Sequence, residues 1–238
     1  MCDVKHCLSF DCADKTLGVC LIGFIPKEDV INRIEIIRDM TVENPHYTSR
    51  LVSDILSVKQ YWLFNLLPEA KVRETDDHIR LGRLKAAINS IKTTVQSMNI
   101  RIDEVHVEYQ MGQNDLSRLI SAAIIYEFST PDNNIQTIIG PTSAPVHQTP
   151  QIQIFTIFPS SKNSICFHPN LAYSTFAAKY KTTTTANKHH TTENFKYFLT
   201  LQNSNKKIEL GTGKHSEINH IADAFMQSMY KIMTNDWA

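Results

Sequence analysis

No run of the chain approaches the roughly 18 to 20 consecutive apolar residues that a membrane-crossing helix needs. The opening residues MCDVKHC contain nothing like the apolar stretch of a secretory signal, so a soluble, intracellular protein with no membrane partner is expected. Net charge is also missing, since 24 Lys and Arg balance 24 Asp and Glu, which argues against a uniformly basic nucleic-acid module. Among the five cysteines, Cys2, Cys7, Cys12, Cys20 and Cys166, there is no CxxC pair. An odd set of that kind argues against a secreted disulfide framework. A zinc knuckle on the first four is set aside because they fall on two apparent hydrophobic strands. No internal repeat is present.

What remains is a chain of 238 residues, 42% hydrophobic, enough for one domain with a substantial core. Its charge is unevenly spread. From Lys162 to Lys214 there are eight lysines against only Glu193 and Glu209, with His168, His189, His190 and His215 among them. Such a segment suits a phosphate backbone, though a solvated lysine-rich surface has the same composition.

Hydrophobic periodicity predicts strands over residues 4–10 and 17–25, joined by the turn ADKT, and a third strand over 32–40. Leu51, Ile55, Val58 and Trp62 have helical spacing, as do Leu81, Leu84, Ile88, Ile91, Val95 and Met98. In 104–110, Val105, Val107 and Tyr109 alternate with His106, Glu108 and Gln110, the period of a strand with one polar face. A helix is expected at 115–128 and a fifth strand at 135–139. Residues 140–164, rich in Pro, Ser, Thr and Gln around the apolar IQIFTIF, read as an insertion or long loop with room for its own strand. A short strand and a helix fit 165–180, and the Thr-rich 181–192 reads as a mobile loop. The last helix, Glu217 to Met233, carries Ile218, Ala222, Phe225, Met229 and Ile232 on one stripe, with Ser216 as its N-cap. The layout is mixed α/β: a three-stranded meander feeding parallel crossover units, in a single domain over 1–238.

Two acids end or line apolar strands: Asp11 follows the first strand and Glu108 lies on the polar face of the fourth. If those strands are neighbours, the two carboxylates face each other. On the last helix, at about 100° per residue, Ser216, His220, Asp223 and Gln227 lie opposite the apolar stripe. Carboxylates gathered in this way repel one another unless a cation neutralises them, and oxygen ligands with a lone imidazole favour Mg²⁺ or Mn²⁺. Two such ions about 4 Å apart suit in-line attack by water on a phosphodiester. Each residue also has a simpler reading. Asp11 suits a turn with Asp14, Glu108 a buried pair with an Arg, and His220 with Asp223 a solvent-facing pair. Adjacent His189 and His190 lack partners at a metal-ligand spacing, and Tyr109, Met111 and Phe167 read as core before stacking platforms.

The segments LSFDCADKTLGVCLIGF, VHVEYQMGQNDLSRLISA and HIADAFMQSMY resemble, in order, the first, second and last catalytic motifs of the RuvC-like Holliday junction resolvases. With ICFHPNLAYSTFAAKYK before a basic stretch, the resemblance is strongest to the poxvirus-type members found in large DNA viruses, and it spans nearly the whole chain. It implies a ribonuclease H-like fold, with a mixed five-stranded sheet flanked by helices. It also implies a homodimer, and Mg²⁺-dependent paired nicking of four-way branched DNA with Mn²⁺ able to substitute. Action at cytoplasmic viral replication sites is a further implication. By position in the motifs, Asp11, Glu108 and Asp223 take the first, second and last acid places, and His220 stands where many relatives have Asp. Glu217, about 60° from His220 on the wheel, competes for that place. The phosphate-stabilising lysine that such enzymes carry before the final helix would be Lys188, with Lys179 and Lys181 as alternatives. The same site would also serve a ribonuclease H-like nuclease acting on RNA–DNA hybrids or other branches, and the fold without catalysis would leave a DNA-binding module.

Overall fold

The structure is a computed structural model that describes residues 4–26, 53, 55–67, 76–109, 115–129, 152–167, 169–202 and 215–233. β1 (Lys5–Cys12) and β2 (Thr16–Phe24) form a hairpin closed by the Ala13 amide donating to the Thr16 carbonyl at 3.1 Å. β3 (Leu56–Asn65) adds antiparallel to β2. β4 (Glu104–Glu108) runs parallel to β1, and β5 (Gln153–Ile157) parallel to β4. The sheet order is β3-β2-β1-β4-β5. This is the mixed five-stranded sheet, meander first and parallel strands after, that was expected.

Alternation along the strands sorts side chains onto two faces. On one face, Leu8, Phe10, Leu17, Val19, Leu21, Val105 and Val107 pack against α1 (Asp77–Ser97) and α2 (Asp115–Ser129). α1 presents Leu84, Ile88, Ile91 and Val95 at helical spacing and ends at Asn99, whose φ of 54° is the left-handed residue of a helix C-terminus. The other face carries Cys7, Cys20, Ile22 and Phe24 beneath α4 (Thr183–Gln202) and α5 (His215–Lys231), which contribute Phe195, Phe198, Ala222, Phe225 and Met229. α3 (Tyr173–Lys179) packs on α4. Full burial of each Phe stabilises this layer by about 1.5–3 kcal/mol.

Several expectations are corrected. The stretch given helical spacing from Leu51 to Trp62 is helical at the described Ser53 and Ile55 but becomes the strand β3 from Leu56. Its β-branched and aromatic residues pair with β2 from Leu56 to Asn65, which puts Tyr61 and Leu63 on one core and Trp62 and Phe64 on the other. A bulge between Leu21 and Ile22 breaks the ladder, and the Gln202 side chain satisfies the Val58 amide and Leu56 carbonyl there. The third and fifth strands expected at 32–40 and 135–139 lie outside the described residues. The sheet's fifth strand is 153–157, inside the stretch read as an insertion or long loop with room for its own strand. Residues 165–167 form no strand; turns at Pro159–Ser164 and Pro169–Leu171 flank them.

The Thr-rich 181–192 is no loop. Thr182 caps α4 through its hydroxyl to the Thr185 amide at 3.2 Å, and the helix runs on to Gln202. Two of its buried polar side chains anchor it: Thr192 donates to Asn219, while Asn194 accepts from the Phe167 amide and donates to the Leu171 carbonyl. α5 begins at His215, so Ser216 lies inside its first turn.

Candidate active site

Three parallel strands, β1, β4 and β5, end at the same edge of the sheet, the edge where parallel sheets open toward ligands. Register does the first positioning. Phe10 stands opposite Val107, so the next residue of each strand, Asp11 and Glu108, arrives side by side on the face covered by α5. α5 supplies His220 and Asp223, one turn apart. Its approach is close because Gly18, opposite Asp11 on β2, has no side chain: a Cβ there would lie 2.3 Å from the carbonyl carbon and oxygen of His220.

The side chains meet in two pairs. His220 Nδ1 lies 2.6 Å from Asp11 Oδ2. Lys162 Nζ lies 2.8 Å from Asp223 Oδ2 and 3.5 Å from Glu108 Oε1. Lys162 reaches the site from the turn Pro159–Ser164 that follows β5. Site residues are largely buried; the His220 side chain, at 25% exposure, is the most open of them, against 9% for Lys162.

Burial disfavours every charge here, and the neighbours decide each outcome. For Asp11 burial pushes the carboxyl up, but the hydrogen bond from His220 and the charges of Lys162 and His220 outweigh it and hold it below its ordinary range. His220 is the mirror case: burial pulls it down, and the Asp11 hydrogen bond with the Asp11 and Asp223 charges raises it. Burial and the Asp11 charge push Glu108 up to about 8, against the pull of Lys162. Burial raises Asp223 too, although the Lys162 ammonium opposes it. Lys162 is raised, its burial overcome by the charges of Asp223, Asp11 and Glu108.

The donor set suits a hard divalent cation: three carboxylates and one imidazole. Asp223 Oδ1 is buried and makes no hydrogen bond among the described residues, a lone-pair donor awaiting a partner. As they stand, no three His, Cys, Asp or Glu side chains among the described residues form a metal cage; a lysine ammonium bridges two of the acids instead.

Asp11, Glu108, His220 and Asp223 are therefore brought together. Lys188, Lys179 and Lys181 are not part of the cluster. All three are exposed on α4, at the end of α3 or between them, and of these the Lys188 charge is felt at His220, where it lowers the pKa. The Glu217 side chain lies outside the described residues. Asp14 does not pair with Asp11 but accepts from the Ser117 hydroxyl at 2.7 Å, and among the described residues Glu108 pairs with Lys162. Tyr109 is exposed, not core, and lies against Phe158 with ring centroids 5.2 Å apart; Phe167 is core. His190 is buried among Tyr173 and Phe176, and His189 stacks on Tyr180. Sequence reasoning missed Lys162. The available signal was the apolar run IQIFTIF before PSSK, a strand whose following turn falls at the same sheet edge as Glu108.

No protein-family profile matches the chain, and neither does any curated protein. Among solved structures the chain is similar to T. thermophilus RuvC in complex with Holliday junction substrate, at 10% identity over 96% of each chain with a TM-score of 0.45. It is also similar to a second Thermus thermophilus RuvC structure, at 10% identity over 97% of each chain with a TM-score of 0.44.

Proposed function

We propose that the chain is a metal-dependent endonuclease that makes paired nicks in four-way DNA junctions, acting as a homodimer of ribonuclease H-like subunits on branched viral DNA. The observation that carries the reading is the meeting of Asp11, Glu108 and Asp223, from two adjacent parallel strands and a crossing helix, at the carboxyl edge of the sheet. Three buried acids are costly for a fold to hold together and useful for holding divalent cations. The catalytic motifs that these residues resemble support it further.

Asp11, Glu108, Asp223 and His220 would hold Mg²⁺, and the ions would supply activation of a water and stabilisation of charge on the leaving oxygen. The chain's own part is positional. Asp11 and Glu108 are rigid because they end core strands, and the His220 hydrogen bond fixes the Asp11 carboxylate. One carboxylate would accept the proton that water loses as its oxygen bonds to phosphorus, and the departing sugar oxygen would take up a proton from solvent as its P–O bond breaks. Two opposed cuts in one junction call for two sites, which a symmetric dimer provides. The exposed Lys179, Lys181 and Lys188 would follow the backbone.

The test is nicking of an immobile four-way junction beside a linear duplex and an RNA–DNA hybrid, in Mg²⁺ and in EDTA, with Asp223→Asn as control. Paired, Mg²⁺-dependent cuts in the junction, lost in the variant, are expected. Cleavage of the hybrid alone would assign a ribonuclease H-type activity instead. Junction binding with no cleavage would assign a DNA-binding module, a reading favoured by the Lys162 ammonium already neutralising two of the acids.

A further inference from the structure

We propose that Lys162 is a built-in counter-cation that shares the carboxylate site with the divalent ion, so that metal enters by exchange and the ammonium leaves Asp223 and Glu108 as it does. The inference rests on the metal-centred reading above and adds to it how the site is kept in the absence of metal.

Three carboxylates approach within one buried cluster, and an imidazole and an ammonium answer them. His220 serves Asp11, and Lys162 serves Asp223 and Glu108. Without Lys162 nothing else among the described residues supplies a cation at 2.8 Å from Asp223 Oδ2, and the Oδ1 of the same carboxylate is already unpartnered. The lysine thus does in the metal-free protein what a metal does in the loaded one: it screens acids that would otherwise drive β4 and α5 apart.

A divalent ion taking the open Oδ1 of Asp223 would stand beside the ammonium on Oδ2, and the two positive charges would repel each other. Ions of the Mg²⁺ class take their oxygens at roughly 2.0–2.1 Å, and the ammonium occupies the same carboxylate. The side chain is suited to leaving. An ammonium is a compact charge on a flexible four-carbon stem, whereas a guanidinium would grip the carboxylate in a planar fork. Its anchor is separate from the acids, since the turn is tied to α4 by Asn163 Nδ2 donating to Asn187 at 3.1 Å. The backbone can therefore stay in place while the stem swings.

The test is calorimetric titration of Mn²⁺ into the full chain, compared with Lys162→Met and Lys162→Arg. Removing the competing charge is expected to tighten Mn²⁺ binding by about tenfold in Lys162→Met while lowering the metal-free Tm, and Lys162→Arg is expected to bind no more tightly than the parent. Equal or weaker Mn²⁺ binding by Lys162→Met, with the parent binding normally, overturns the exchange and leaves the metal site standing. Failure of the parent to bind Mn²⁺ overturns the metal-centred reading itself. Amine acylation of the parent followed by mass spectrometry covers the case in which Lys162→Met does not fold. Lys162 is expected to be protected without metal and to gain reactivity severalfold in saturating Mg²⁺, with Lys188 unchanged; protection that persists in Mg²⁺ overturns the exchange.

Discussion

Gly18 is the position where β2 lets α5 come down onto the sheet. A methyl group there meets the His220 backbone at 2.3 Å, and backbone has no rotamer to escape into, so the helix must lift. His220 would be carried away from Asp11, which it now bonds at 2.6 Å. Gly18→Ala is therefore expected to destabilise the fold by about 1–3 kcal/mol in urea unfolding and to weaken Mn²⁺ binding. Parent-like stability would mean that the close approach is not needed. At this scale the acids were legible because Asp11 and Glu108 sit at the end or on one face of strongly apolar strands and Asp223 interrupts the apolar pattern of an amphipathic helix. Lys162 was not. A lysine in a polar turn carries no periodic signal, and only the placement of β5 beside β4 turns it inward.

α5 is pinned to the sheet along its length by a line of buried polar contacts. After His220 with Asp11, the Ser9 hydroxyl donates to the Ala224 carbonyl at 2.6 Å. Then His106 lies between Ser228 (2.6 Å) and Glu104 (2.9 Å), and Lys231 closes the line on Glu104 at 2.8 Å. Burial alone would raise Glu104, but the hydrogen bonds and charges of His106 and Lys231 outweigh it and hold its carboxyl below the ordinary range. Lys231→Met leaves that carboxylate buried with His106 alone and is expected to cost about 3–5 kcal/mol in urea unfolding. Adding Glu104→Gln should recover most of the loss, and a Lys231→Met protein of parent stability would remove this pin from the account.

α4 makes a separate prediction through His190, which burial pushes down to about 4. Its unfolded value is 6.5, so the unfolded chain takes up the proton first. The stability it contributes is present above pH 6.5 and is lost as pH falls from there toward 4. The swing is at most about 3 kcal/mol. Urea unfolding at pH 7 and pH 4.5 should show a larger loss for the parent than for His190→Leu, and equal losses would refute the assignment. The helix itself was illegible because from His190 to Asn194 its buried residues are His, Thr and Asn, whose low helical preference is overridden by tertiary contacts, among them the hydrogen bonds of Thr192 with Asn219 and of Asn194 with Phe167 and Leu171.

For the whole molecule, zero net charge conceals an asymmetry. Lys179, Lys181 and Lys188 are exposed around the start of α4, and the Lys188 charge reaches the site at His220. Changing all three to Gln is expected to reduce the slope of log junction affinity against log salt by about 2 to 3, with Tm unchanged. An unaltered slope would put the DNA elsewhere. Among the described residues no helix is long and apolar enough to cross a membrane.

The sequence by itself determined the hairpin of β1 and β2, the strand β4, the amphipathic α1, α2 and α5, and the acids they carry. Each of these has a strong period of its own, and period is a local property that follows from backbone geometry. Only the tertiary structure decided that residues 56–65 form a strand rather than a helix, that a Thr-rich segment is helical, that β5 lies at 153–157, and that Lys162 sits among the acids. Those outcomes depend on partners distant in the chain: β2 pairing with β3, the polar groups that receive α4, and the parallel register that brings three strand ends to one edge.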